Sequence, residues 1–249
     1  MDTNISIIVF IIVGFISQMI DGALGMGYGV CSTSFLLGMG LPPAPASASV
    51  HAAEIFTSGV SGISHWKLGN VDKRLLLRLL IPGVLGGVIG AYILTELPGD
   101  TIRPFIAAYL LIMGLVIIRK AFKEIKQREI SPKVIGPLGL IGGFFDAIGG
   151  GGWGPIVTTN LLAWGNDPRL TIGSINLAEF FVTTAQSIAF ILTIGLVHWK
   201  IILGLMLGGV AAAPLAAFSC KVIPVRLLLV MVGVLIIFLS IRTIYLAMA

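Results

Sequence analysis

Eight stretches of mostly apolar residues, at 4–40, 44–64, 75–97, 101–121, 135–164, 170–197, 200–220 and 225–247, are separated by short polar segments. A helix rises 1.5 Å per residue and the hydrocarbon core of a bilayer is about 30 Å thick, so each stretch is long enough to cross. The pattern predicts an all-α integral membrane protein of about eight hydrophobic segments. Residues 135–164, as one continuous helix, would run about 45 Å, too long for one upright crossing and too short for two. That stretch and 4–40 both contain glycines next to an acidic residue, so both are expected to be broken or re-entrant.

The chain also repeats itself. A shift of 125 residues aligns Gly14–Phe56 with Gly139–Phe181 without a gap, with 15 identities in 43 positions, among them Asp21 with Asp146, Gly25 with Gly150, Gly27 with Gly152, Ser49 with Ser174 and Glu54 with Glu179. His65-Trp66-Lys67 recurs as His198-Trp199-Lys200, at an offset of 133. Duplicated halves are a common way to build transporters. The expected organisation is a first membrane repeat at 1–121, a cytoplasmic linker at 122–134 that takes in most of the charged run Arg119–Lys133, and a second repeat at 135–249, with four segments in each half. A first segment that crosses once gives parallel halves and 12 of the 16 Lys and Arg residues on the N-terminal side. A re-entrant first segment gives inverted halves and 13 of the 16 on the side of the 119–133 loop. The positive-inside rule does not separate the two, and both put the 65–78 and 119–133 loops in the cytoplasm. The length of 135–164 favours the inverted arrangement.

Composition narrows the function classes. Of 249 residues 57% are hydrophobic and 11% charged, with a mean hydropathy of +1.04, far from the roughly 25% charged residues of soluble domains. The formal charge of +5 lies in a few loops, as membrane topology requires, and does not indicate nucleic-acid binding. The run after Met1–Asn4 has no basic flank and no small-residue cleavage site, so it is expected to be a retained first segment. Cys31 and Cys220 have neither metal-binding nor redox spacing and read as packing residues. No catalytic triad, phosphate-binding loop or zinc-protease motif is present, so the expectation is a non-enzyme without cofactor or metal.

The chemistry concentrates at the glycine breaks. Four consecutive glycines, Gly149, Gly150, Gly151 and Gly152, follow Asp146 and precede Trp153-Gly154-Pro155 inside apolar sequence. Such a run unwinds a helix and frees amides that hydrocarbon cannot satisfy. With Pro155 starting a new helix, those amides form an anion cradle without Lys or Arg, or else the glycines serve close helix packing. The first half has a weaker version in Gly25, Gly27 and Tyr28 after Asp21. Glu54 and Glu179 lie inside apolar helical stretches, where an ionised carboxylate costs at least a few kcal/mol. They are read as proton or cation sites or as scaffold, whereas Asp21 and Asp146 are read as scaffold accepting bonds from the freed amides, or as substrate or proton contacts. His51 and Asn176 sit one turn before the glutamates, on the same faces. Ser49, Ser174, Thr158, Thr159 and Asn160 are further candidates for polar lining, and the two His-Trp-Lys motifs read as interfacial anchors.

The duplicated unit, the run GGGGWGPIVTTNLL at 149–162 and the segment 173–181 around Glu179 resemble the TauE/SafE sulfite exporter family across nearly the whole chain. The resemblance implies a multi-pass protein of a prokaryotic cytoplasmic membrane that moves sulfur-containing anions such as sulfite, thiosulfate or small organosulfonates. The first half departs from the family pattern: Gly25-Met26-Gly27-Tyr28-Gly29 lacks the glycine triplet, and Val30 stands where a proline is usual. The expected substrate contacts are therefore Gly149–Trp153, completed by Gly25, Gly27, Tyr28, His51 and Asn176, with protons as the coupling ion. A passive anion channel, or a membrane sensor or subunit without turnover, is the alternative.

Overall fold

In the computed structural model the described residues, 6–122, 132–164, 166–219 and 225–248, are helical apart from short connections, and no strand occurs among them. Residues 123–131 of the charged linker and Cys220 lie outside the described set. The helices are α1 (Ile7–Leu24), α2 (Tyr28–Gly38), α3 (Pro43–Lys67), α4 (Lys73–Glu96), α5 (Gly99–Ala121) and α6 (Pro132–Gly149). A π-helical turn (Gly154–Thr158) leads into α7 (Thr159–Ala163), followed by α8 (Pro168–Thr193), α9 (Trp199–Ser219) and α10 (Val225–Met248). Five of these are long and apolar enough to cross a membrane: α1, α4, α5, α8 and α9. Helix α3 is polar because it is central, burying Ser47, Ser49, His51, Glu54, Ser58, Ser61 and His65.

Local signals set the helix ends. Asp72 Oδ1 accepts from Arg74 N (2.8 Å) and Asp167 Oδ1 from Leu170 N (2.9 Å), so each aspartate caps the first turn of its helix. Helix α1 stops at Gly25, whose φ of 67° is left-handed, and its N–H returns to the Asp21 carbonyl (2.5 Å). Helix α6 stops in the same way before Gly150, at φ 62°.

Small residues bring the helices together. Gly14 and Gly22 of α1 lie against Leu205 and Ala216 of α9, and Gly86 and Gly90 of α4 against Leu140 and Phe144 of α6, so both pairs run parallel. Helix α3 crosses α8 antiparallel, with Gly59 beside Phe180 and Gly62 beside Leu177. Helices α5 and α10 are also antiparallel, with Gly114 near Ile237 and Ile118 near Gly233. In lipid there is little hydrophobic drive between helices, and close backbone approach supplies the packing. Outward-facing residues such as Leu77, Ile81, Phe105, Leu192 and Phe238 stay exposed, as a lipid-facing rim would.

Candidate functional site

The two unwound segments, 25–27 and 150–152, meet at the centre of the bundle. Gly29 and Val30 of α2 pack directly on Gly150 and Gly151, and Met26 packs on Gly154. Two threonines clamp the contact reciprocally. Thr33 Oγ1 donates to the Gly150 carbonyl (2.6 Å), and Thr158 Oγ1 donates to the Gly25 carbonyl. Thr159 and Asn160 bond back to their own turn, at the Pro155 and Ile156 carbonyls.

The freed amides of the second break have a partner within the protein. Asp146 Oδ1 accepts from Gly152 N (2.8 Å) and Trp153 N (3.0 Å), so the protein's own carboxylate occupies the ends expected to hold an anion. Asp21 does the same more weakly for Tyr28 N, at 3.5 Å. Asp146 Oδ2 accepts from Gln186 Nε2 (3.0 Å) and lies 3.5 Å from His51 Nε2. His51 Nδ1 is in turn 3.7 Å from Glu54 Oε2. Glu179 lies within electrostatic reach of Asp21, Glu54 and Asp146. Each of these four acids is at most 4% exposed and His51 is fully buried. Both imidazole nitrogens, one oxygen each of Glu54 and Glu179, and both polar atoms of Gln18 have no hydrogen-bond partner there.

Asn176, the counterpart of His51, is engaged differently: its Oδ1 accepts from Ser61 Oγ (2.7 Å) and its Nδ2 donates to the Ile172 carbonyl (3.0 Å). Trp153 and Tyr28 are buried walls of the breaks, and Gly149 lies under the Tyr109 ring. The structure therefore gathers Asp21, Glu54, Asp146, Glu179 and His51 around the breaks, while Gly150 and Gly151 line the packed contact and Gly149 and Gly152 lie against Tyr109. His51, Glu54 and Asp146 bring one ligand-capable atom each within 4.8 Å of one another. Residue spacing gave no sign of this grouping, because it joins α3 to α6.

Sequence reasoning missed Gln18 and Gln186, polar residues in otherwise apolar runs that could have drawn notice for that alone. It also read both His-Trp-Lys motifs as interfacial anchors closing the second span of each half. His65 is instead fully buried in the last turn of α3, whereas His198 precedes α9, so the two are not equivalent in the fold. Trp66 does lie at the surface, with Lys73 Nζ 5.3 Å from its ring centre.

The family model for the sulfite exporter TauE/SafE matches residues 10–243. The chain is 45% identical over 246 residues to the probable membrane transporter protein YtnM of Bacillus subtilis (strain 168), covering 95% of this chain and 82% of that protein. It is 24% identical over 200 residues to the probable membrane transporter protein ORF9 of Sinorhizobium sp, covering 79% and 76% of the two chains. No solved structure matches.

Proposed function

The chain belongs to the TauE/SafE sulfite exporter family of membrane transporters, and from that membership we propose that it is a secondary transporter of a small sulfur-containing anion, coupled to protons. One observation carries the coupling: four carboxyl groups and an imidazole converge, buried, on two helix breaks. Ionising all four acids together there would be prohibitive, so the cluster holds protons. An anion approaching it is repelled unless those protons are present, which ties anion movement to proton movement. The buried donors beside the breaks without a hydrogen-bond partner include His51, Gln18 and the Tyr28 and Tyr109 hydroxyls, while the amides of 28, 152 and 153 already face Asp21 and Asp146. Gly25, Gly27, Tyr28, Gly149–Trp153 and Asn176 then shape the wall of the site.

The chain directions favour inverted halves. Helices that hold the same place in each half and pack on each other, α3 with α8 by the 125-residue shift and α5 with α10 as the last helix of each half, run antiparallel, as a two-fold axis in the membrane plane requires. Each break is then a re-entrant hairpin, and 13 of the 16 Lys and Arg residues fall on the side of the 68–72 connection and the linker, which is the cytoplasm of a prokaryotic cell.

Uptake of labelled sulfite and thiosulfate into proteoliposomes under imposed pH gradients tests the reading. Saturable uptake that responds to the gradient, and a loss of that response in Glu179→Gln at equal protein abundance, are expected. Non-saturable flux would identify a channel, and a gradient response unchanged in both Glu54→Gln and Glu179→Gln would reduce the glutamates to scaffold.

A further inference from the structure

Two connections occupy equivalent places at opposite ends of the bundle. Residues 68–72 join α3 to α4 and residues 194–198 join α8 to α9. Each turns on a glycine in the left-handed region, Gly69 at φ 72° and Gly195 at φ 70°. Each faces the first turns of a long helix from the other half: 68–72 meets α8, and 194–198 meets α3. Turn geometry is shared, but the packing is not.

At the α8 end the gap is sealed. Asp72 N donates to Ser174 Oγ (2.8 Å), and the Asn70 backbone lies hard against Gly173. Arg169 Nη2 donates to Asn70 Oδ1 (3.0 Å). Asn70 Nδ2 reaches His65 Nδ1 (3.2 Å), and His65 Nε2 reaches the Gly22 carbonyl (3.0 Å). The amide can only donate to Nδ1, so Nε2 carries the proton it gives to Gly22. One polar chain thus runs from Arg169 at the surface to the last turn of α1, beside Asp21.

At the α3 end the same positions are apart. Ser49 donates to its own helix at the Pro45 carbonyl (2.7 Å), as the aligned Ser174 does at the Leu170 carbonyl (2.6 Å), but among the described residues it accepts no bond from its connection of the kind Ser174 accepts from Asp72 N. A cavity of about 90 Å³ separates Pro45, Ala48 and Ser49 from the 194–198 connection. His51 lies one helical turn deeper than Ala48, so this cavity points along α3 toward the buried cluster.

We infer that the two connections are the two gates of the transport cycle, with the cytoplasmic gate latched and the external gate unlatched over a small cavity above the buried Ser49, and that Asn70, with Arg169, His65 and Ser174, is the latch of the cytoplasmic gate. This rests on the transporter reading above. Packing 194–198 onto Ser49 and releasing 68–72 from Ser174 would give the opposite state, and the His65–Gly22 bond ties the latch to the first break.

Side-specific labelling tests the inference without requiring the substrate. With Cys31→Ser and Cys220→Ser as background, Ser49→Cys and Ser174→Cys are treated with a membrane-impermeant thiol reagent on intact cells and on inverted vesicles. Both positions are buried, so the expectation is a difference in rate: Ser49→Cys, under the unbonded connection, reacts from outside faster than Ser174→Cys, under the latch, reacts from the cytoplasmic face. Adding Asn70→Ala should speed Ser174→Cys labelling on the order of tenfold and slow Ser49→Cys labelling, as losing one or two hydrogen bonds shifts a two-state equilibrium. Arg169→Ala, at an exposed side chain, should act in the same direction more weakly, and it serves if Asn70→Ala fails to fold. Ser174→Cys that reacts freely from the cytoplasm in the intact latch, or labelling rates that neither variant changes, would overturn the gates. Sulfite and thiosulfate uptake is scored separately. Labelling that exchanges without uptake removes the substrate reading and keeps the gates, and uptake without exchange removes the gates alone.

Discussion

Gly151→Ala separates a packed crossing from an anion cradle. A Cβ built at Gly151 falls onto the Val30 amide, 2.5 Å from the Gly29 carbonyl carbon and 2.6 Å from Val30 Cα. These are backbone atoms of α2, held by the Thr33 bond to Gly150, and no side chain can swing aside to make room. Overpacking of this kind costs about 1–3 kcal/mol, and an immovable neighbour puts the variant at the upper end. For a chain of this length about 3 kcal/mol lowers the melting temperature by roughly 6–12 °C. Gly136→Ala is the control, because its Cβ would meet nothing nearer than Pro82 Cγ at 3.7 Å, and in a helix it should be neutral or stabilise by up to about 1 kcal/mol. The assay is thermal unfolding of detergent-purified protein, followed by sulfite and thiosulfate affinity on the monodisperse folded fraction. Gly151→Ala should melt early and bind normally where folded. An unchanged melting temperature with weakened binding would refute the packing argument and restore the glycine amides as the anion contact.

Asp146→Asn should destabilise more than Asp21→Asn, by about 1–3 kcal/mol against less than about 1, because Asp146 accepts two close amide bonds and a Gln186 bond where Asp21 accepts one at 3.5 Å. Melting temperatures of the two variants check the order. Arg103→Ala and Arg242→Ala should each loosen α2 by about 1 kcal/mol, since their guanidinium groups donate to the last carbonyls of that helix, at Leu37 and Gly38. Hydrogen exchange at 35–40 reads that loosening, and unchanged protection in both variants would show that the caps contribute nothing. His51→Ala should abolish saturable sulfite uptake while the protein still folds, and retained uptake at wild-type affinity would exclude the imidazole as an anion donor.

The membrane character and helical class were legible because a solvent of hydrocarbon leaves few options for a backbone. The break at Gly149–Gly152 was legible too, since few other sequences unwind a helix so plainly, and Gly150 adopts the left-handed φ of 62° that suits glycine. What met the freed amides was harder to read. The rule that unwound backbone needs a polar partner holds equally for a ligand and for Asp146 six residues away, and sequence separation does not rank them. The gathering of His51 with Asp146 depends on α3 crossing α6 and α8, a long-range contact with no local signal. His65 misled for a similar reason: a histidine before Trp and Lys at a span end has the composition of an interface anchor, while its burial depends on the Asn70 turn folding under it.

The reciprocal threonine clamp bears on how such a molecule can alternate its access. Thr33 and Thr158 stand 125 residues apart, and so do their acceptors, Gly25 and Gly150, so each half holds the other's break by the same bond. Pulling the breaks apart would strand two buried carbonyls and two buried hydroxyls at once, at about 1–3 kcal/mol for each unsatisfied group. It would also open the backbone contact of Gly29 with Gly151. The connections at the bundle ends are held far less: 68–72 by a short polar chain, and 194–198 with a cavity beneath it. Motion follows the weaker contacts, so the centre stays fixed while the ends exchange. A cross-link joining Met26→Cys to Gly154→Cys, which pack on each other across the two breaks, should therefore leave side-specific labelling at Ser49→Cys and Ser174→Cys unchanged. A cross-link joining Asp72→Cys to Ser174→Cys should stop sulfite uptake until it is reduced. Transport that survives the second cross-link and fails with the first would place the moving part at the breaks instead.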